Sequence, residues 1–146
     1  MPHDYLREAL SPPAARDTIE KAVQEIRPYA AKFDAIAVTG SSGLLIGPTV
    51  AYLLQKGVIL VRKPGTSTHS SRRVEGDDIY KRYIIVDDLI SSGDTIERIK
   101  EATSSQWPGI ECIGTYLYKS GRWYEKPKNA GREVEKSSQE SSKIAD

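Results

Sequence analysis

The chain has 146 residues, 38% hydrophobic and 28% charged, with a formal net charge of +1. That length suits one domain with a modest core, and the near-neutral balance gives no electrostatic case for a nucleic-acid or membrane partner. A lone cysteine, Cys112, excludes an internal disulfide; no apolar run is long enough to span a bilayer, and "MPHDYLREAL" lacks a signal peptide's apolar core, so the expected compartment is the cytoplasm.

Ser11 is placed to cap a helix that opens on Pro12, and its apolar positions Ile19, Val23 and Ile26 recur at helical spacing. Pro28 ends or kinks it. "AIAV" at 35–38 reads as a short strand running into "TGSSG". "LLIGPTVAYLL" reads as a buried helix interrupted by Gly47 and Pro48 and closed by Gly57, and "VILVRK" as a second strand. From 64 to 78, "PGTSTHSSRRVEGDD" has no periodicity and reads as a long polar loop, a kind of segment that is usually functional or disordered. "YIIV" is a third strand, "TIERIKEATSSQ" a helix and "IECIGTYLYK" a fourth strand. Residues 1–125 are expected to form the domain; 126–146 have almost nothing to bury and read as a disordered tail.

Strands alternating with helices predict an α/β protein: a single-domain, three-layer fold with a mainly parallel central sheet flanked by helices. Ligands of such folds bind outside the carboxyl ends of the strands. Three of the four strands end in unusual chemistry, "TGSSG", "RKPG" and "DDLISSGDT", and those ends converge on one rim.

The third strand ends in two adjacent acids, Asp87 and Asp88, followed by Ser91, Ser92, Gly93, Asp94 and Thr95. A Gly and hydroxyl turn entering a helix exposes unpaired backbone N–H groups at the positive end of the helix dipole, where a phosphate monoester fits. Ionised carboxylates are pure acceptors, and the adjacent hydroxyls of a diol are good donors to them. Phosphate at one end and diol at the other describe a ribose 5-phosphate.

An apolar strand, Asp-Asp, two apolar residues and a Ser/Thr-Gly-x-Thr turn resemble the phosphoribosyl-pyrophosphate (PRPP) motif of the type I phosphoribosyltransferases. "AVTGSSGLLIGPTVAYLL" is similar to that family's pyrophosphate loop and following helix. "VILVRKPG" is similar to a strand of its adenine and orotate members, and "THSSRRVEG" to the mobile loop of the orotate members. The resemblance runs from about 35 to 118.

It implies that Asp87 and Asp88 hold the ribose 3- and 2-hydroxyls and that Ser91, Ser92, Gly93, Asp94 and Thr95 cradle the 5-phosphate. Thr39, Gly40, Ser41, Ser42 and Gly43 would face the pyrophosphate, with Arg62 and Lys63 nearby. A non-proline cis peptide is expected between Gly40 and Ser42. Mg²⁺ would bridge pyrophosphate and ribose, mostly through water but beside Asp87 and Asp88. The implied activity is transfer of 5-phosphoribosyl from PRPP to a nucleobase in nucleotide salvage. PRPP and a base or nucleotide are then the partners, and a homodimer is common in the family.

The sequence also departs from the pattern. Ser41 or Ser42 stands where several relatives carry a cation, and Thr66 stands where the orotate members place a loop lysine. His69, Arg72 and Arg73 are the substitutes expected to act when segment 66–78 closes. Position 91 is Ser where the 6-oxopurine members use an aspartate near the base. The missing loop lysine and the Ser-only pyrophosphate loop favour the alternative of a non-catalytic PRPP- or nucleotide-binding regulator on the same scaffold. Trp123 and Tyr124 are expected either to hood a flat base or to cover an edge of the core.

Overall fold

The computed structural model describes residues 11–62, 73–90 and 93–128. Ten elements follow one another: helix α1 (Pro12–Ile26), a 3-10 segment (Arg27–Lys32), strand β1 (Ala35–Thr39), helix α2 (Gly40–Leu54), β2 (Gly57–Val61), β3 (Val74–Glu75), β4 (Arg82–Asp87), helix α3 (Asp94–Gln106), β5 (Glu111–Leu117) and β6 (Arg122–Glu125). They build one six-stranded sheet in the order β3-β2-β1-β4-β5-β6. The four central strands are parallel and the two short edge strands antiparallel. The α/β class and the mainly parallel sheet flanked by helices are therefore as expected.

Side chains alternate across β1, so Ile36 and Val38 enter a core with α1, the 3-10 segment and α2, while Ala35 and Ala37 enter a second core with α3. Ile84 and Val86 of β4 face the first core, Tyr83 and Ile85 the second. Both faces are buried, which is why "AIAV" and "YIIV" read as continuous apolar runs rather than alternating ones.

Pro12 opens α1, and the α-helix gives way to the 3-10 segment at Arg27, directly before Pro28, as the missing N–H of proline predicts. Ser11 caps with its carbonyl, which accepts from the Ala15 N–H at 2.7 Å, and not with its hydroxyl. Helix α2 corrects the sequence reading at both ends. Thr39 alone stays outside as its N-cap, and Gly40 to Gly43, read as a turn, form its first turn. At its far end Gln55, not Gly57, takes the left-handed conformation, with φ 59°. Gly57 already belongs to β2, where a Cβ would collide with the Tyr80 ring. Pro48 lies inside α2 without ending it. Gly47 explains the close seating of that helix, because a Cβ there would meet Val38 Cγ1.

The segment read as one long loop contains β3, whose Val74 is buried against β2. Two residues of strand carry too little periodicity to be seen in sequence. Strand β6 was equally hidden. Its ladder with β5 jumps from Thr115–Glu125 to Tyr116–Trp123, leaving Tyr124 as the extra residue of a bulge. Trp123 thereby turns inward, edge-on to Tyr29 and Tyr116 with both ring centroids at 5.4 Å, and covers the core. Tyr124 stays exposed. Among the described residues no helix is long and apolar enough to cross a membrane. The expected tail lies outside the described residues from 129 onward.

Candidate active site

The chain leaves β1 towards β2 on one side and leaves β4 towards β5 on the other, so the strand order reverses between β1 and β4. A crevice opens outside the carboxyl ends of strands at such a switch point. Thr39 and the first turn of α2 stand on one side of it, Asp87 and Asp88 on the other.

The two sides touch. Ser42 Oγ donates to Asp87 Oδ1 at 3.3 Å, and Tyr118 Oη, at the end of β5, donates to the Ser42 carbonyl at 2.7 Å. The backbone N–H groups of Tyr118 and Lys119 donate to the carbonyls of Asp87 and Asp88 at 2.9 and 3.1 Å. The Leu89 N–H reaches Asp88 Oδ1 at 2.8 Å. On the β2 side, Thr39 Oγ1 donates to the Val61 carbonyl at 2.6 Å. Tyr118 was missed in the sequence; its position at the end of the fourth strand, on the same rim, was the available signal.

Both acids are buried, Asp87 to 6% and Asp88 to 8% exposure. Burial pushes the Asp87 carboxyl up to about 6, with the charge of Asp88 adding to the rise, while the Asp88 N–H and the Ser42 hydroxyl pull it down. Burial makes such an acid pair costly to ionise, and a dication or hydroxyl donors brought by a ligand would favour the ionised form. Among the described residues no group of three or more His, Cys, Asp or Glu could hold a metal ion. Two carboxylates suit an ion that keeps several waters and shares its shell with a substrate, which is the habit of Mg²⁺.

Gly93 precedes α3 with φ 87°, a left-handed conformation that L side chains rarely adopt. Asp94 is the first residue of that helix and exposed, an acid in the favourable first turn, and Thr95 is half-buried behind it. Gly40 also has a positive φ of 67°, Ser41 is exposed, and Gly43 packs against Val38. Every described peptide bond is trans, so the cis bond expected between Gly40 and Ser42 is absent; these residues continue from the Gly40 bend straight into helix. Arg62 follows β2 and pairs with Glu75 of β3, Nη1 to Oε2 at 2.7 Å. Arg73 Nε donates to the Arg62 carbonyl at 3.2 Å. Lys63, Thr66, His69, Arg72, Ser91 and Ser92 lie outside the described residues. The structure thus brings Asp87, Asp88 and Ser42 together and places Thr39 and Gly93 on the same rim.

No protein-family model matches the chain. The adenine phosphoribosyltransferase of Synechocystis sp. is 32% identical, over 71% of this chain and 68% of that protein. The chain belongs to the type I phosphoribosyltransferase family. The adenine phosphoribosyltransferase of Caldicellulosiruptor saccharolyticus is 34% identical, and the chain spans 62% of its length. Among solved structures, the orotate phosphoribosyltransferase of Aeropyrum pernix superposes with a TM-score of 0.65 at 21% identity, covering 78% of this chain and 63% of that one. At that identity the likeness is one of fold.

Proposed function

We propose that the protein transfers the 5-phosphoribosyl group of PRPP to a nucleobase and releases pyrophosphate. The observation that carries this reading is the buried Asp87–Asp88 pair at the switch point, followed within one turn by the left-handed Gly93 at the start of α3. Adenine is the first candidate acceptor, because the similar proteins named above from Synechocystis and Caldicellulosiruptor are adenine phosphoribosyltransferases.

On this reading Asp87 and Asp88 accept hydrogen bonds from the ribose hydroxyls. The turn 91–95 holds the 5-phosphate with backbone N–H groups and with the hydroxyls of Ser91, Ser92 and Thr95. The first turn of α2, Gly40 to Gly43, faces the pyrophosphate. Tyr118 fixes the Ser42 carbonyl and so the distance between the two halves of the rim. Bond breaking at C1 builds positive charge on the ribose and negative charge on the departing pyrophosphate. The protein orients the reactants and stabilises that separation more than it does covalent work. Mg²⁺, when bound beside Asp87 and Asp88, would neutralise the pyrophosphate. Lys63 and His69 would add cations to the leaving group when the part of the loop ahead of β3 covers the site and excludes water, β3 itself being held in the sheet by β2. The family's homodimer and a cytoplasmic setting belong to the same proposal.

The ion pair between Arg62 and Glu75 favours a second reading, a PRPP- or nucleotide-binding regulator, since it turns one expected pyrophosphate cation towards β3. Pyrophosphate release from PRPP and Mg²⁺ with adenine, guanine, hypoxanthine, xanthine, orotate and uracil tests the two. Release with one base supports the transferase; PRPP binding with no release for any base supports the regulator.

A further inference from the structure

The central strands have a second end. Their amino ends lie opposite the acid pair, about 20 Å away along the seven residues of β5 at about 3.3 Å each. There a cavity of ≈ 690 Å³ is bordered by Lys32, Arg82, Lys126 and Lys128 together with Glu111 and Glu125. Its size falls within the range of small-molecule pockets, about 300–1,000 Å³. Strand β6 runs antiparallel to β5, which is how Lys126 and Lys128 come to stand over the start of β5.

Cations outnumber acids on this wall, and one acid is already engaged. Glu125 Oε1 takes Lys100 Nζ at 3.2 Å, from a lysine outside the cavity. Asp34, beside Arg82, accepts the backbone N–H groups of Lys81 and Arg82 at 2.7 and 3.1 Å and feels the charge of Lys56 as well. The Arg82 Nε–H donates to the Lys32 carbonyl at 2.8 Å, which fixes the plane of the guanidinium at the cavity edge. Lys126 lies with Nζ 6.0 Å from the centre of the Tyr29 ring. The lining is mainly charged but includes one large apolar side chain: the β4–β5 ladder jumps from Tyr83–Cys112 to Ile84–Gly114, and the bulged Ile113 lines the cavity.

A positive rim that also offers Ile113 and the lysine stems suits an anion that carries a flat or aliphatic body. A bare phosphate would leave most of this volume empty. We propose that this cavity is a second binding site, separate from the acid-pair rim, for a phosphorylated small molecule of nucleotide size. The lysines and Arg82 meet its phosphates, and Ile113 with the lysine stems meets its body.

Calorimetric titration of the full chain with ADP tests this. The wild type, Asp88→Asn, the double variant Lys126→Ala/Lys128→Ala, and Arg98→Ala are compared; the last removes a cation from exposed helix surface elsewhere. Lys126 and Lys128 are exposed, so both truncations should fold, and circular dichroism checks that. The expected result is ADP binding that survives in Asp88→Asn and Arg98→Ala but is lost, or weakened at least about tenfold, in the double lysine variant. Two sites in the wild type with one removed by the double variant would support the proposal equally. It is overturned if the wild type does not bind ADP, if the double variant binds as the wild type does, or if Arg98→Ala weakens binding as much.

Discussion

Ser42 and Asp87 meet across the gap between β1 and β4, hydroxyl to carboxylate at 3.3 Å. The contact joins the two halves of the rim and is one of the interactions that hold the Asp87 carboxyl down against burial. Ser42→Ala should therefore move the Asp87 titration further up from about 6 while leaving the fold intact. Carboxyl-carbon NMR through a pH series reads this directly. An unchanged or lowered Asp87 titration would mean the hydroxyl does not act on that acid.

The same burial gives a pH signature to stability. Asp87 titrates at about 6 when folded and near its ordinary 3.8 when unfolded. Between those values the folded chain holds a proton that the unfolded chain has released, so this group's contribution falls as pH rises through the window. Asp87→Asn removes that loss. In the absence of ligand its urea midpoint should rise relative to the wild type on going from about pH 4 to about pH 7. A constant difference across that range would contradict the buried-acid assignment.

Much of this arrangement was legible in the sequence because it rests on local patterns. The runs at 35–38 and 83–86 announced buried parallel strands, and Asp87–Asp88 with Gly93 announced the rim. What stayed hidden depended on contacts distant in sequence. β3 is two residues held in place by β2, and β6 is a bulged strand that only its pairing with β5 reveals. Tyr118 could be placed on Ser42, 76 residues away, only once the strand order was known. The first turn of α2 was misread because Gly and Ser are poor helix formers, whereas packing of Gly43 and Gly47 on Val38 overrides that propensity.

At Gly93 the obstacle to substitution is the backbone angle. Among the described residues a Cβ there would meet Tyr124 Oη, at an ordinary contact distance of 3.7 Å, yet φ is 87°. Gly93→Val should cost on the order of 1–3 kcal/mol of stability and abolish ribose 5-phosphate binding. Gly93→Asn, which tolerates positive φ, should lose less, and Thr95→Val only on the order of 1 kcal/mol of binding for its one donor. Thermal melts and ribose 5-phosphate titration of the three variants check the order; equal behaviour of Val and Asn at position 93 would remove the backbone argument.

Tyr116 supplies a test of packing away from the rim. Its ring is fully buried and its hydroxyl has no hydrogen-bond partner among the described residues. Removing an unsatisfied buried hydroxyl while keeping the ring should be neutral or stabilising by up to about 1 kcal/mol. Urea denaturation of Tyr116→Phe measures this, and a loss of about 1 kcal/mol or more would reveal a partner for that oxygen.

The role of the acid pair is tested most directly by calorimetric titration of the wild type, Asp87→Asn and Asp88→Asn with PRPP in the presence of Mg²⁺. Each variant gives up a charge-assisted hydrogen bond of roughly 1.5–3 kcal/mol, so affinity should fall about ten- to a hundredfold in both while the fold persists. Binding by both variants with the affinity of the wild type would contradict the placement of the ribose at Asp87 and Asp88.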